Sequence, residues 1–140
     1  MKILSILVMR KNGLLTERAQ IGVRFAKRGR RMIDWARVKE LRDAIGDDEF
    51  DEVVAMFLEE ADEVIARIAP KMGAKTLEAD LHFLKGAALN LGFADFAALC
   101  QLGERLAAAG DACVDVDPVR ACYHDSKIAL ALGLAQSLAA

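Results

Sequence analysis

The chain has two histidines, His82 and His124, and His82 is the one whose neighbours could support chemistry. It lies in the run His82-Phe83-Leu84-Lys85-Gly86, inside a stretch where Leu77, Leu81, Leu84, Ala88 and Leu91 recur at helical spacing. On a wheel with 100° per residue, that apolar stripe centres about 140° from His82, so the imidazole points to water. Its face is shared by Lys75, Glu78, Ala79, Lys85, Gly86 and Leu89. Lys85, at i+3, can place an ammonium beside whatever the ring carries. Gly86, at i+4, costs a helix interior about 1 kcal/mol relative to Ala, which implies that something approaches closely there. Ala79 is likewise small, and the pattern leaves Leu89 exposed as an apolar side chain at a docking surface, with Glu78 on the same face. An imidazole near neutral pH is largely uncharged and nucleophilic. With a cation beside it and cleared space above it, such a ring suits reversible phosphorylation, the cation offsetting the phosphoryl charge.

The elements that must hold this residue are helices. Asp34 is a good N-cap for a helix carrying Val38, Leu41 and Ile45, and Gly46 lies past its end. Asp47, Asp48 and Glu49 open a second helix, where acidic side chains complement the positive end of the dipole. Its stripe runs Phe50, Val53, Val54, Phe57, Leu58, Ala61, Val64, Ile65, Ile68, and Pro70 and Gly73 stop it. Thr76 is expected to cap the helix of His82, which Gly92 ends. A fourth helix uses Phe96, Leu99, Cys100, Gly103 and Leu106, and a loop from Gly110 to Asp117 follows. Asp117-Pro118 reads as N-cap and first turn of the last helix. The expected spans are 34–45, 48–69, 76–91, 94–109 and 118–138. Short connections between amphipathic helices predict an all-α fold, an antiparallel up-and-down four-helix bundle with the first helix as an additional N-terminal cap.

Composition narrows the function. With 54% apolar residues in 140, a single core is affordable without metal or disulfide support. Cys100, Cys113 and Cys122 are odd in number and lack C-x-x-C spacing, which fits small buried residues in a reducing cytoplasm. Residues 1–31 hold nine Lys/Arg against Glu17 alone, a net +8, whereas residues 32–140 hold ten against twenty acids, a net −10. The acidic body argues against a nucleic-acid partner. The opening MKILSILVM has an apolar stretch at the lower limit for a signal peptide, no cleavage site, and far too little length to span a bilayer. The expectation is a basic leader, 1–31, outside the folded domain, and a domain over 32–140. The charge reversal also makes Met32 a candidate initiator, and a membrane-surface role for the leader stays open.

At His82 the resemblance becomes specific. His82-Phe83-Leu84-Lys85-Gly86, with Gly92 ten residues after the histidine, resembles the H-x-L-K-G-x-x-x-x-x-G signature of histidine-containing phosphotransfer (HPt) domains. Leu41-Arg42 with Gly46-Asp47-Asp48-Glu49-Phe50 resembles their opening, and Leu99-Cys100 and Leu106 fit the helix after the signature. The resemblance covers about residues 34–140. It implies that His82 is phosphorylated on its outer ring nitrogen, that Lys85 and Gly86 support transfer and access, and that the chain has no kinase activity of its own. It also implies partners: response-regulator receiver domains, which supply the aspartate and the Mg2+, and a sensor or hybrid histidine kinase. No cofactor or metal is then expected on this chain, which is expected to be monomeric and cytoplasmic. Glu104 falls where some members place a glutamine, and no role is carried over to it.

Two other readings remain open. One is an adaptor bundle that uses the His82 face only for binding. The other is the dimerisation and phosphoacceptor segment of a sensor kinase, which is weakened because no acidic residue and Pro follow His82 and no ATP-binding segment is present. His124 and Asp125 are adjacent and do not face each other on a helix, so a hydrolytic triad is not supported. No E-x-x-H pair is present for a di-iron bundle.

Overall fold

The computed structural model describes residues 32–69, 72–110 and 114–139. The leader 1–31, with Pro70 and Cys113, lies outside the described residues, so the expectations placed on them are not addressed by it. Five helices and no sheet occur among the described residues: α1 (Trp35–Ile45), α2 (Asp47–Arg67), α3 (Ala74–Leu91), α4 (Ala94–Ala108) and α5 (Asp117–Ala139). None of the described helices is long and apolar enough to cross a membrane.

The helix starts follow local chemistry. Asp34 caps α1 as expected, its carboxylate accepting from the Arg37 amide at 3.3 Å. Asp47, Asp48 and Glu49 fill the first turn of α2. Thr76, however, does not cap α3. The carbonyl of Gly73 accepts from the Leu77 amide at 3.0 Å, and the helix begins at Ala74 with no side-chain cap. At α5 the expected cap shifts by one: the Val116 carbonyl accepts from Arg120, and Asp117 is already helical.

The core is built by one face of each helix. Phe50, Val53, Val54, Phe57, Ala61 and Val64 of α2 pack with Leu77, Leu81, Leu84, Ala88 and Leu91 of α3 in one cluster. Phe96 and Cys100 of α4 and Val119, Tyr123 and Leu130 of α5 belong to the same cluster. The expected α4 stripe needs one correction: Leu106 is exposed, and Ala107 takes the buried position. Counting from Cys100 and Gly103, residue 107 continues the i+3, i+4 rhythm, which places Leu106 off the stripe.

The α3–α4 hairpin is the most extensive helix pair and the one that positions the site. Gly92 turns the chain with φ +77, and the Phe93 amide donates back to Ala88 at 2.8 Å. Glycine is required there, because a Cβ would come within 2.7 Å of the Asp34 carbonyl oxygen. Residues 32–34 clasp this turn: Asp34 N–H donates to Gly92 at 2.7 Å and Ala94 N–H to Met32 at 3.1 Å, with Ile33 buried opposite Phe93. Further along, a Cβ on Gly103 would stand 2.9 Å from Leu81 Cδ1. The absent side chain lets α4 approach α3 closely one residue before Glu104.

Candidate functional site: a histidine and a lysine held by one carboxylate

His82 sits mid-way along α3 with its side chain 68% exposed, as the wheel predicts. Its Nδ1 lies 2.8 Å from Oε2 of Glu104 on α4. The other carboxylate oxygen, Oε1, takes the ammonium of Lys85 at 2.6 Å. One side chain therefore holds both His82 and Lys85 of the signature. Lys85 does not project freely beside the ring but is drawn down to Glu104, where both partners are about one-fifth exposed.

Partial burial pushes the Glu104 carboxyl up. Lys85 and then His82 oppose this through hydrogen bonds and charge, and they win, so the group lies below the ordinary carboxylate value. An ionised carboxylate can only accept hydrogen bonds. Its contact with Nδ1 therefore selects the tautomer with hydrogen on Nδ1 and the lone pair on Nε2, the outer nitrogen. This arrangement supplies a fixed, solvent-facing nucleophile with a cation at its base.

Gly86 occupies the turn after His82, and a Cβ there would meet nothing within 4 Å. The fold therefore does not need a glycine at this position. Beneath it, the Asn90 amide donates to the Gly86 carbonyl at 2.9 Å. Asn90 Oδ1 in turn accepts from Arg37 at 3.0 Å, and Arg37 Nε donates to the Leu89 carbonyl at 3.1 Å. Arg37 and Asn90 are almost completely buried. This network locks α1 onto the C-terminal half of α3, where a cation also satisfies free carbonyls and complements the dipole.

Leu89 must be corrected. It is buried, 9% exposed, and does not offer the expected apolar docking surface. The wheel describes an isolated helix, whereas the last turns of α3 are flanked by α1 through Arg37 and by α4, which returns directly after Gly92. Everything from Ala87 to Phe93 is buried as a result. Ala79 is exposed and Glu78 partly so, on the open side of His82. His124 stands apart on the exposed side of α5. Cys100 is fully buried, and burial pushes its thiol well up, so it is an inert apolar group. Among the described residues, no group of three or more His, Cys, Asp or Glu is placed to hold a metal ion.

Sequence reasoning passed over the role of Glu104 and missed Arg37 and Asn90. Glu104 carried a weak signal, as an acidic residue one place after the glycine of the α4 stripe. Arg37 and Asn90 were detectable only as polar residues beside the stripe positions Val38 and Leu91.

Comparison with curated proteins and with solved structures gave no match. Residues 52–140 match the family model of the Hpt domain, which spans His82, Lys85, Gly86, Gly92 and Glu104. The family works in histidine phosphotransfer in two-component signalling. With that match covering more than half of its length, the chain belongs to the Hpt domain family.

Proposed function

We propose that this protein is a phosphorelay carrier. His82 takes a phosphoryl group on Nε2 from the aspartate of a receiver domain, or from a hybrid kinase, and passes it to another response-regulator receiver. The observation that carries this reading is the exposed imidazole whose Nδ1 is anchored 2.8 Å from Glu104, leaving Nε2 to face the partner. Lys85 supports the phosphoryl charge, Gly86 keeps the approach open, and Glu78 and Ala79 border the partner. The Mg2+ ion that the transfer uses belongs to the receiver. The chain acts without autokinase activity, as a monomer in the cytoplasm.

The scaffold for this reading is an up-and-down bundle of α2–α5 with α1 lying across one end. Its support is pairwise. Arg67 at the end of α2 grips Asp80 near the start of α3 at 2.8 and 3.2 Å. Arg120 at the start of α5 donates to the carbonyls of Ile65 and Ile68 at the end of α2. One turn further along α5, Tyr123 donates to Asp62, one turn back along α2.

The test is phosphotransfer profiling of the protein against the receiver domains of its source organism. At least one phosphorylated receiver is expected to label the wild type and not His82→Gln, with helical content unchanged because the side chain faces water. Incubation with ATP alone is expected to leave the protein unlabelled. Label that persists in His82→Gln moves the acceptor elsewhere, and the absence of any receiver-dependent label favours a binding-only adaptor.

A further inference from the structure

The carboxylate on Nδ1 has a consequence for the loaded carrier, one that rests on the phosphotransfer reading above. An amide at residue 104 could face the ring with its oxygen or with its NH2 group. A carboxylate paired with Lys85 offers oxygen only, so its 2.8 Å contact requires hydrogen on Nδ1. Loading uses the Nε2 lone pair. It attacks phosphorus, the acyl P–O bond breaks, and that bond's electron pair leaves on the aspartate oxygen. The ring now carries phosphoryl on Nε2 and hydrogen on Nδ1, and is a cation.

Onward transfer reverses the electron flow. A carboxylate oxygen attacks phosphorus, the N–P bond breaks, and its pair returns to Nε2. With Nδ1–H in place the leaving group is neutral imidazole. Had the proton gone to solvent, the leaving group would be imidazolate, a far stronger base that departs reluctantly. The charged groups around the ring are few. On α3 they are Glu78 and Lys85, with Lys75 a further turn back. On α4 they are Glu104 and, exposed beside it, Arg105. From α1 and α2, Arg37 and Arg67 are committed to Asn90 and Asp80 on other sides of α3. Glu104 is the group in contact with Nδ1.

We propose that Glu104 is a positioning residue for the loaded state: by accepting from Nδ1 it retains the proton on phospho-His82, keeping the phosphoryl group transferable into the alkaline range. To test this, phosphoramidate, a small phosphoryl donor, loads wild type and Glu104→Gln without any receiver. Loss of the N–P bond is followed by 31P NMR from about pH 5 to about pH 10. The alkaline fall in hydrolysis is expected about one pH unit lower in Glu104→Gln, a loss about threefold slower than wild type at about pH 8.5 and approaching tenfold slower by about pH 10. Coincident profiles, or profiles that differ only in height, overturn the proposal. The wild type decides independently if the variant does not fold. Its 15N spectrum at about pH 8.5 is expected to show Nδ1 of phospho-His82 still protonated, and a deprotonated Nδ1 overturns the proposal. Phosphoramidate that places no phosphoryl group on His82 sinks the phosphotransfer reading itself, which distinguishes the two failures.

Discussion

Replacing Gly86 should make the protein more stable and less active, and the structure gives both magnitudes. The residue lies inside α3, between Ala74 and Leu91, and its φ is not positive. No atom stands within 4 Å of the position a Cβ would take. A side chain there relieves the helix of its glycine without a clash, a gain of about 1 kcal/mol for Ala and nearly as much for Leu. In a domain of this size, that raises the melting temperature by about 4 °C. Residue 86 stacks one turn from His82 on the same face, so the isobutyl group of Leu occupies the space a partner must enter. Displacing the reacting groups by about 1 Å costs about 100-fold in rate, the loss expected of Gly86→Leu, with Gly86→Ala in between. Thermal melts and single-turnover transfer from a phosphorylated receiver measure the two effects. Loss of stability would show that the glycine serves packing. Unchanged transfer in a stabilised Leu variant would show that no partner approaches there.

Three further outcomes follow from named contacts. Lys85→Ala is expected to slow transfer about tenfold without abolishing it, the equivalent of a charge-assisted contact of about 1.5 kcal/mol, as read in the same single-turnover assay. Arg37→Leu strands the Asn90 oxygen and the Leu89 carbonyl without their donor, so unfolding in denaturant should register a loss of about 3 kcal/mol. Acid should also weaken the fold. Burial raises the Glu104 and Asp62 carboxyls, but Lys85 and His82 on the first, and Tyr123 and Lys127 on the second, bring both below their ordinary values of 4.5 and 3.8. Stability from a lowered carboxyl is fully present above its unfolded value and is lost as pH falls through the folded one. Melting temperature is therefore expected to fall below about pH 4, and less steeply in Glu104→Gln.

The sequence made the exposure of His82 legible because the apolar stripe of α3 is long and regular, and the wheel needs nothing else. Helix order was legible for the same reason, and Asp34 and Gly92 marked their boundaries by chemistry that is purely local. Thr76 misled because the free backbone of Gly73, at φ +96, lets α3 begin two residues earlier. Leu89 misled because a wheel carries no information on which neighbours close over a helix near a tight turn. Glu104 could not be assigned for a related reason. It is 22 positions from His82, and periodicity tells which face a residue occupies but not what stands opposite. Their meeting depends on the close approach of α3 and α4 at Gly103. Arg37 and Asn90 break the apolar rule on buried faces, and only the paired geometry explains why they do so without penalty.

In the proposed carrier a single imidazole nitrogen, Nε2 of His82, takes the group while Glu104 holds the other ring nitrogen. Phosphorylated protein examined by 31P and 15N NMR tests this directly. One nitrogen-linked phosphoryl signal is expected, coupled to Nε2 of His82, with Nδ1 still hydrogen-bonded to a carboxylate. A phosphoryl group on Nδ1, or on any residue other than His82, would contradict it.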